Sequence, residues 1–404
     1  MSEEATPLLS PAGGVPDLID SRSALESAIE KLASLSGPIA IDAERASGYR
    51  YSARAYLIQI KRATEIFLID PIPFHGSSES DLVERLNAVI QSDEVILHAA
   101  TQDLPCLREF GLTPNRLFDT ELGARIAGLP KVGLGPLCEQ FFNVSLAKEH
   151  SAVDWSMRPL NQDWINYAAL DVELLIELRE CIADLLKADG KLDWALSEFQ
   201  SILDAPPAPP REDPWRRTSG MHKIRDRRAL NAIKNLWVQR DSYAQTLDVA
   251  PGRIFNDETM MEIISKKPES ADDFGKILMK RTRYQDLPAQ SWFEIYKSSL
   301  SAPEEELPPM RGSGTGLPVI KIWEAKNPLG YARATHIRAK INELAGQHLM
   351  PPENLLSPDS VRRLCWNPPP DSNLESYIRS TLADAGARAW QIGLVASHLV
   401  EGLS

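Results

Sequence analysis

PIAIDAERASGY, from Pro38 to Tyr49, opens as an apolar run and closes on two carboxylates two residues apart, Asp42 and Glu44. A strand alternates its side chains between faces, so a spacing of two puts both acids on one face. Arg45, the immediate neighbour, is expected on the other. Outward from this stretch, AYLIQI (Ala55–Ile60) and EIFLID (Glu65–Asp70) are apolar runs close enough to pair as a hairpin. DLVERLNAVI (Asp81–Ile90) carries helical periodicity, VILHAA (Val95–Ala100) reads as a further buried strand, and helical patterns follow. Strands alternating with helices predict an α/β domain over residues 15–204.

Carboxylates side by side repel, and such a pair either takes up a proton or holds a cation. Two more acids are candidates for the same site. Asp103, in VILHAATQDLPCL, lies between a strand and the short helix LPCLREF, where taken alone it reads as a helix cap. Asp171, in WINYAALDVELLIEL, follows Tyr167 by four residues on a helical stretch, so the two project from one face. Four carboxylates offer the hard oxygen ligands that suit Mg²⁺ or Mn²⁺. Two such ions roughly 3.5 to 4 Å apart serve in-line displacement at phosphate. Asp119, in FDTELGARIAG, precedes a helical stretch and reads as a cap. His98 falls in an apolar strand and reads as a satisfied histidine of the core or of the layer behind the site.

DAPPAPPREDP, Asp204–Pro214, carries Pro206, Pro207, Pro209, Pro210 and Pro214 and predicts a stiff linker over 205–212. SAPEEELPPMRGSGTGLP, Ser301–Pro318, predicts a second one over 301–317. The pieces between and beyond, 213–300 and 318–404, hold amphipathic segments of helix length and predict small all-α bundles. They look like copies of one another, with Pro251 matching Pro352, Ile254 and Phe255 matching Leu355 and Leu356, and Pro268 matching Pro369.

With 404 residues, 43% hydrophobic and 25% charged, the chain suits two or three ordinary globular domains. No apolar run is long enough to span a bilayer, and MSEEATPLLSPAGG lacks the features of a signal peptide, so a cytoplasmic location without membrane contact is expected. Cys106, Cys138, Cys181 and Cys365 are scattered and argue against a zinc site or a disulfide framework. A net charge of −12 is unfavourable for phosphate binding, yet Trp215–Arg240 carries eight basic residues against Asp226 alone. Lys223, Arg225, Arg227 and Arg228 are therefore candidate contacts to a nucleic-acid backbone. Trp215, Trp237 and Trp366 are expected to be core residues rather than stacking platforms.

The motifs Asp42-Ala43-Glu44, Asp103 within HAATQDLPCL, and Tyr167 through Asp171 resemble those of the ribonuclease D branch of the DEDD exonucleases, the subclass with a tyrosine before the last aspartate. DWSMRPL and FDTELGARIAG add to the resemblance, while Ala43 stands where the family often has Thr. Residues 213–300 resemble an HRDC domain, and 318–404 a diverged second copy. The resemblance implies a ribonuclease-H-like α/β exonuclease domain with a mixed sheet, followed by two all-α HRDC-type domains. It implies that Asp42, Glu44 and Asp171 hold one divalent ion, that Asp42 and Asp103 hold a second, and that Tyr167 orients the attacking water. The implied reaction is hydrolysis from RNA 3′ ends with release of nucleoside 5′-monophosphates. Structured RNA such as tRNA precursors is the implied partner, and no obligate protein partner is called for. The residues leave open a 3′-5′ DNA exonuclease with the same site, and an RNA-binding module whose site is a relic.

Overall fold

The computed structural model of the chain describes residues 5–76, 79–146, 153–280, 288–312, 316–369 and 373–403. Residues 313–315 of the second expected linker lie outside the described residues. The first domain is built on a mixed sheet with spatial order Leu18–Ile19, Glu65–Ile69, Ala55–Arg62, Ile39–Arg45, Val95–Leu97, Leu117–Asp119. The strand that carries Asp42 and Glu44 is interior to it, antiparallel to Ala55–Arg62 on one side and parallel to Val95–Leu97 on the other. The expected hairpin is present, with Arg62 opposite Glu65.

Both sheet faces are covered, which is why Ala55–Arg62 is buried along its whole length. Ile39, Ile41, Ile58 and Ile60 face a core shared with Leu25, Leu82 and Leu86. On the opposite face, Leu57 and Leu68 pack against Ile165, Ala168 and Ala169 of the Gln162–Glu173 helix. The buried Lys61 ammonium donates to the Glu173 carbonyl at that helix's C-terminal end, where a positive charge is favoured. The helix that bears Tyr167 and Asp171 is thus fixed over the strand that bears Asp42 and Glu44.

VILHAA differs from expectation: the strand runs only over Val95–Leu97. The amides of Ala99 and Ala100 donate to the Asp119 carboxylate at 3.1 and 2.9 Å instead of joining a ladder, and Ala99 takes φ 59°. The chain turns out of the sheet there, and Asp103 follows.

Past the exposed segment 205–212, two helical units share one order of elements. The first has Arg227–Leu247, Pro251–Ile254, Asp257–Lys266, Ala271–Met279 and Ala289–Ser301. The second has Pro328–Gln347, Pro352–Leu355, Pro358–Trp366, Leu374–Asp384 and Ala389–Leu403. Pro251 and Pro352 each open a one-turn helix, a position where the missing N–H costs nothing. Each unit has its own apolar core, one around Trp215, Leu236 and Phe255, the other around Trp323, Ile337 and Leu355. Trp237 packs on the first core, and Trp366 meets Trp323 edge-on at 4.8 Å.

The second expected linker is no free spacer where it is described. Leu307 is buried, and two of the four candidate RNA-contacting cations hold the segment down. Arg227 donates to the carbonyls of Glu304, Leu307 and Pro308 and pairs with the Glu304 carboxylate at 2.7 Å. Arg228 donates to the carbonyls of Leu300 and Ala302, both at 2.8 Å. Both guanidiniums are engaged with the protein because Glu304, some eighty positions on, folds back onto the start of the Arg227–Leu247 helix. Lys223 and Arg225 remain on the exposed surface. No helix among the described residues is long and apolar enough to cross a membrane.

Candidate active site

Asp42 and Glu44 point from their strand toward the Gln162–Glu173 helix, and Asp171 points back from it. Carboxylate oxygens of the three lie within 4.8 Å of one another. The convergence follows from two short periodicities, two residues in the strand and four in the helix, held in register by the sheet–helix packing already described.

Asp103 and Asp119 both sit at the N-cap of a helix, and their hydrogen bonds separate them. Asp119 caps the Thr120–Ile126 helix, accepting from the amides of Glu121 and Leu122 in addition to those of Ala99 and Ala100. Asp103 precedes the Leu104–Phe110 helix but its side chain makes no capping bond. A carboxyl only 5% exposed that ignores its own helix end is oriented by something else. Here that is Arg45, whose Nη2 lies 3.7 Å from Asp103 Oδ1. The alternation expected for Arg45 fails because the strand register shifts between Glu44 and Arg45, and a bulge of this kind re-aims the side chain that follows it.

The four acids are held above the usual carboxylate range. For Asp42, Glu44, Asp103 and Asp171 burial is the first cause. Mutual repulsion adds to it: Asp42, Asp171 and Asp103 raise Glu44, and Asp42 raises both Asp103 and Asp171. Arg45 acts in the opposite direction on Asp42, Glu44 and Asp103. One cation among four acids leaves an excess of negative charge that divalent ions are suited to neutralise, and an all-carboxylate oxygen set fits Mg²⁺ or Mn²⁺.

Tyr167 hydrogen-bonds Asp171 through its hydroxyl. Burial first, then the charges of Asp171, Glu44 and Asp42, push the phenol well above its ordinary value. It keeps its proton at neutral pH and is a donor, not a base. His98 takes no part in the carboxylate group. Its Nδ1 meets Thr120 Oγ1 at 2.9 Å, and burial lowers it to about 4, so it is neutral.

Several supporting groups escaped the sequence reading. Asp70, the last residue of EIFLID, takes a two-pronged pair from Arg158 at 2.5 and 2.7 Å. Arg158 also donates to the Tyr56 carbonyl at 2.8 Å, so the segment leading into the Tyr167 helix is bound to the sheet. Asp154 fixes Ser156, and Ser156 Oγ accepts from Arg50 Nε at 2.7 Å. The DWSMRPL stretch was the available signal, and it marked the segment without identifying its partners. Beside Asp42 on the neighbouring strand stands Gln59, fully buried, with neither amide atom hydrogen-bonded among the described residues.

The chain is similar to known proteins over most of its length. A family model described as 3′-5′ exonuclease matches residues 16–187, one described as HRDC domain matches 229–286, and one described as 3′ to 5′ exonuclease C-terminal domain matches 316–403. The ribonuclease D of Gluconacetobacter diazotrophicus is 28% identical over 363 residues, 88% of each chain. The crystal structure of a protein from Bifidobacterium adolescentis is 35% identical with a TM-score of 0.89, covering 99% of this chain and 100% of that one. Escherichia coli RNase D, described as an exoribonuclease involved in structured RNA processing, shares the fold at a TM-score of 0.67 and 24% identity, over 96% of this chain and 98% of that one.

Proposed function

Because the chain belongs to the ribonuclease D family and is a 3′-5′ exoribonuclease, we propose that Asp42, Glu44, Asp103, Tyr167 and Asp171 are its catalytic residues and that it trims the 3′ ends of structured RNA, tRNA precursors included. The observation that carries the site assignment is the meeting of Asp42, Glu44 and Asp171 within 4.8 Å, on elements from opposite ends of the domain.

Asp42, Glu44 and Asp171 would hold one divalent ion, and Asp42 with Asp103 a second. When bound, the ions supply Lewis-acid stabilisation of the charge that builds on the phosphate and on the departing 3′-oxygen. The remaining work falls to the protein. Asp171 orients the Tyr167 hydroxyl, and that hydroxyl positions the attacking water in line with the bond to be broken. Arg45 moderates the repulsion around Asp103. Hydrolysis at the last phosphodiester bond then releases a nucleoside 5′-monophosphate and leaves a new 3′-hydroxyl.

The test is purified protein given 5′-labelled RNA and DNA with Mg²⁺ or Mn²⁺, product length being followed over time. RNA should shorten one nucleotide at a time while DNA persists. Equal shortening of DNA would move the assignment to a sugar-blind exonuclease, and internal cuts would overturn the exonucleolytic reading.

A further inference from the structure

The loop that follows Glu44 is bonded to the first helical unit at the rim of the active-site groove. Ala250 N donates to the Tyr49 carbonyl at 3.0 Å, and Ser52 N donates to Asp248 Oδ1 at 2.8 Å. Arg253 joins the same seam: its Nε donates to the Gly48 carbonyl at 2.8 Å, and its guanidinium carbon stands 4.0 Å over the centre of the Tyr49 ring. Gly48 and Tyr49 line the groove that begins at Glu44 and Arg45. A residue of the helical unit, some two hundred positions away in sequence, thus forms part of the lip of the nuclease groove.

Two other arginines near this groove face acids, Arg45 opposite Asp103 and Arg54 paired with Asp248 at 3.3 Å, while Arg50 donates its Nε to Ser156 Oγ. The two terminal amino groups of Arg253 have neither a carboxylate nor a carbonyl among the described residues. The outer edge of the Arg253 guanidinium is therefore accessible to an anion at the lip of the groove. The Gly48 carbonyl and the Tyr49 ring already fix the plane of that guanidinium, so its outer edge is a preset fork of donors of the kind that grips phosphate.

We propose that Arg253 binds a phosphate of the RNA strand upstream of the scissile one, so that the helical unit supplies part of the substrate cleft. The proposal rests on the exoribonuclease reading of the carboxylate site. The scissile phosphate must lie against Asp42, Glu44 and Asp171, whereas Arg253 touches Gly48 and Tyr49, which line the same groove; for an enzyme that acts on the last phosphodiester bond, any other phosphate held in that groove is an upstream one.

Substrate length separates this role from a purely structural one, because a dinucleotide contains only the scissile phosphate. Arg253→Gln keeps a donor for the Gly48 carbonyl and removes the charge. Its kcat/KM on the dinucleotide should stay within about two-fold of the parent, while substrates that include the upstream phosphate should lose about ten-fold, mostly in KM. Arg253→Lys keeps the charge without the fork; it should lose less over the same lengths, and it serves the test should the glutamine variant not fold. In EDTA, where no turnover occurs, binding of a 5′-labelled single-stranded RNA by Arg253→Gln should show a salt slope smaller by about 0.7. Equal losses at every length, dinucleotide included, or an unchanged affinity and salt slope, would overturn the proposal. Absence of any RNA shortening by the parent protein would count against the exoribonuclease reading instead, and the binding measurement in EDTA would still decide the role of Arg253.

Discussion

Nη2 of Arg45 lies 3.7 Å from Oδ1 of Asp103, across the gap between the end of one strand and the helix start beyond its neighbour. No other cation is among the charges that lower Asp42, Glu44 and Asp103. Arg45→Gln should therefore cost the metal-free protein about 1 kcal/mol above about pH 8, where Asp42 and Asp103 are ionised, a modest figure because the arginine is partly exposed to solvent. The cost should vanish in acid, where the carboxyls are protonated and need no counter-charge. Thermal melts in EDTA at both conditions check this; an equal deficit in acid would assign Arg45 to packing alone.

Asp171→Asn and Asp42→Ala should abolish Mg²⁺-dependent release of mononucleotides, with circular dichroism unchanged. Tyr167→Phe keeps the ring and removes the hydroxyl that meets Asp171. Turnover should fall by about a hundred-fold with KM nearly constant, as expected for a group that positions the attacking water. A large loss of RNA binding with turnover preserved would contradict that role.

Metal and pH act on stability together. The folded-state pKa values of Asp42, Glu44, Asp103 and Asp171 are raised, so the stability tied to their protonated forms is complete below the ordinary carboxylate range. It is lost as the pH rises through the elevated values toward neutrality and beyond. Divalent ions bind the ionised forms and compete with protons, so saturating Mg²⁺ or Mn²⁺ should raise Tm more at about pH 8 than at about pH 5.5. Scanning fluorimetry with and without metal decides it, and an equal rise at both values would count against these carboxylates as ligands.

Arg227 and Arg228 bind five carbonyls of the 300–308 segment between them, and Arg227 also pairs with Glu304. Replacing both with Ala should destabilise the first helical unit by about 2 kcal/mol or more, since five charge-assisted bonds to carbonyls, four of them partly buried, are lost. The salt slope for RNA should stay as it was. A flattened slope with unchanged melting would return both residues to the RNA surface.

The pairs Asp42/Glu44 and Tyr167/Asp171 were legible because each lies within one element, where a period of two or of four fixes the face. Asp103 and Asp119 were not separable on that basis: both precede helices, and only the acceptor count of each carboxylate tells them apart. Arg45 was misplaced because a bulge breaks alternation without any local signature in the sequence. VILHAA looked like one strand, but its last residues answer to Asp119, about twenty positions away. The basic run from Trp215 to Arg240 was legible as charge, whereas the acid and carbonyls that occupy part of it come from Leu300–Pro308. Asp70 with Arg158, and Gly48 with Arg253, are long-range contacts, and such pairs are written in the fold alone.

Asp119 shows how easily a mutational survey of this domain could miscount. Its carboxylate gathers four backbone amides from two segments, one of them the turn that delivers Asp103. Asp119→Ala would strand those donors and let the turn drift, so the variant would be as inactive as one lacking a metal ligand. Scored by activity alone, the inventory of essential acids would grow by one, and a latch would be taken for a claw. Melting temperature and protease resistance distinguish them: variants at Asp42, Glu44, Asp103 and Asp171 should melt no lower than the parent, whereas Asp119→Ala should lose stability along with activity.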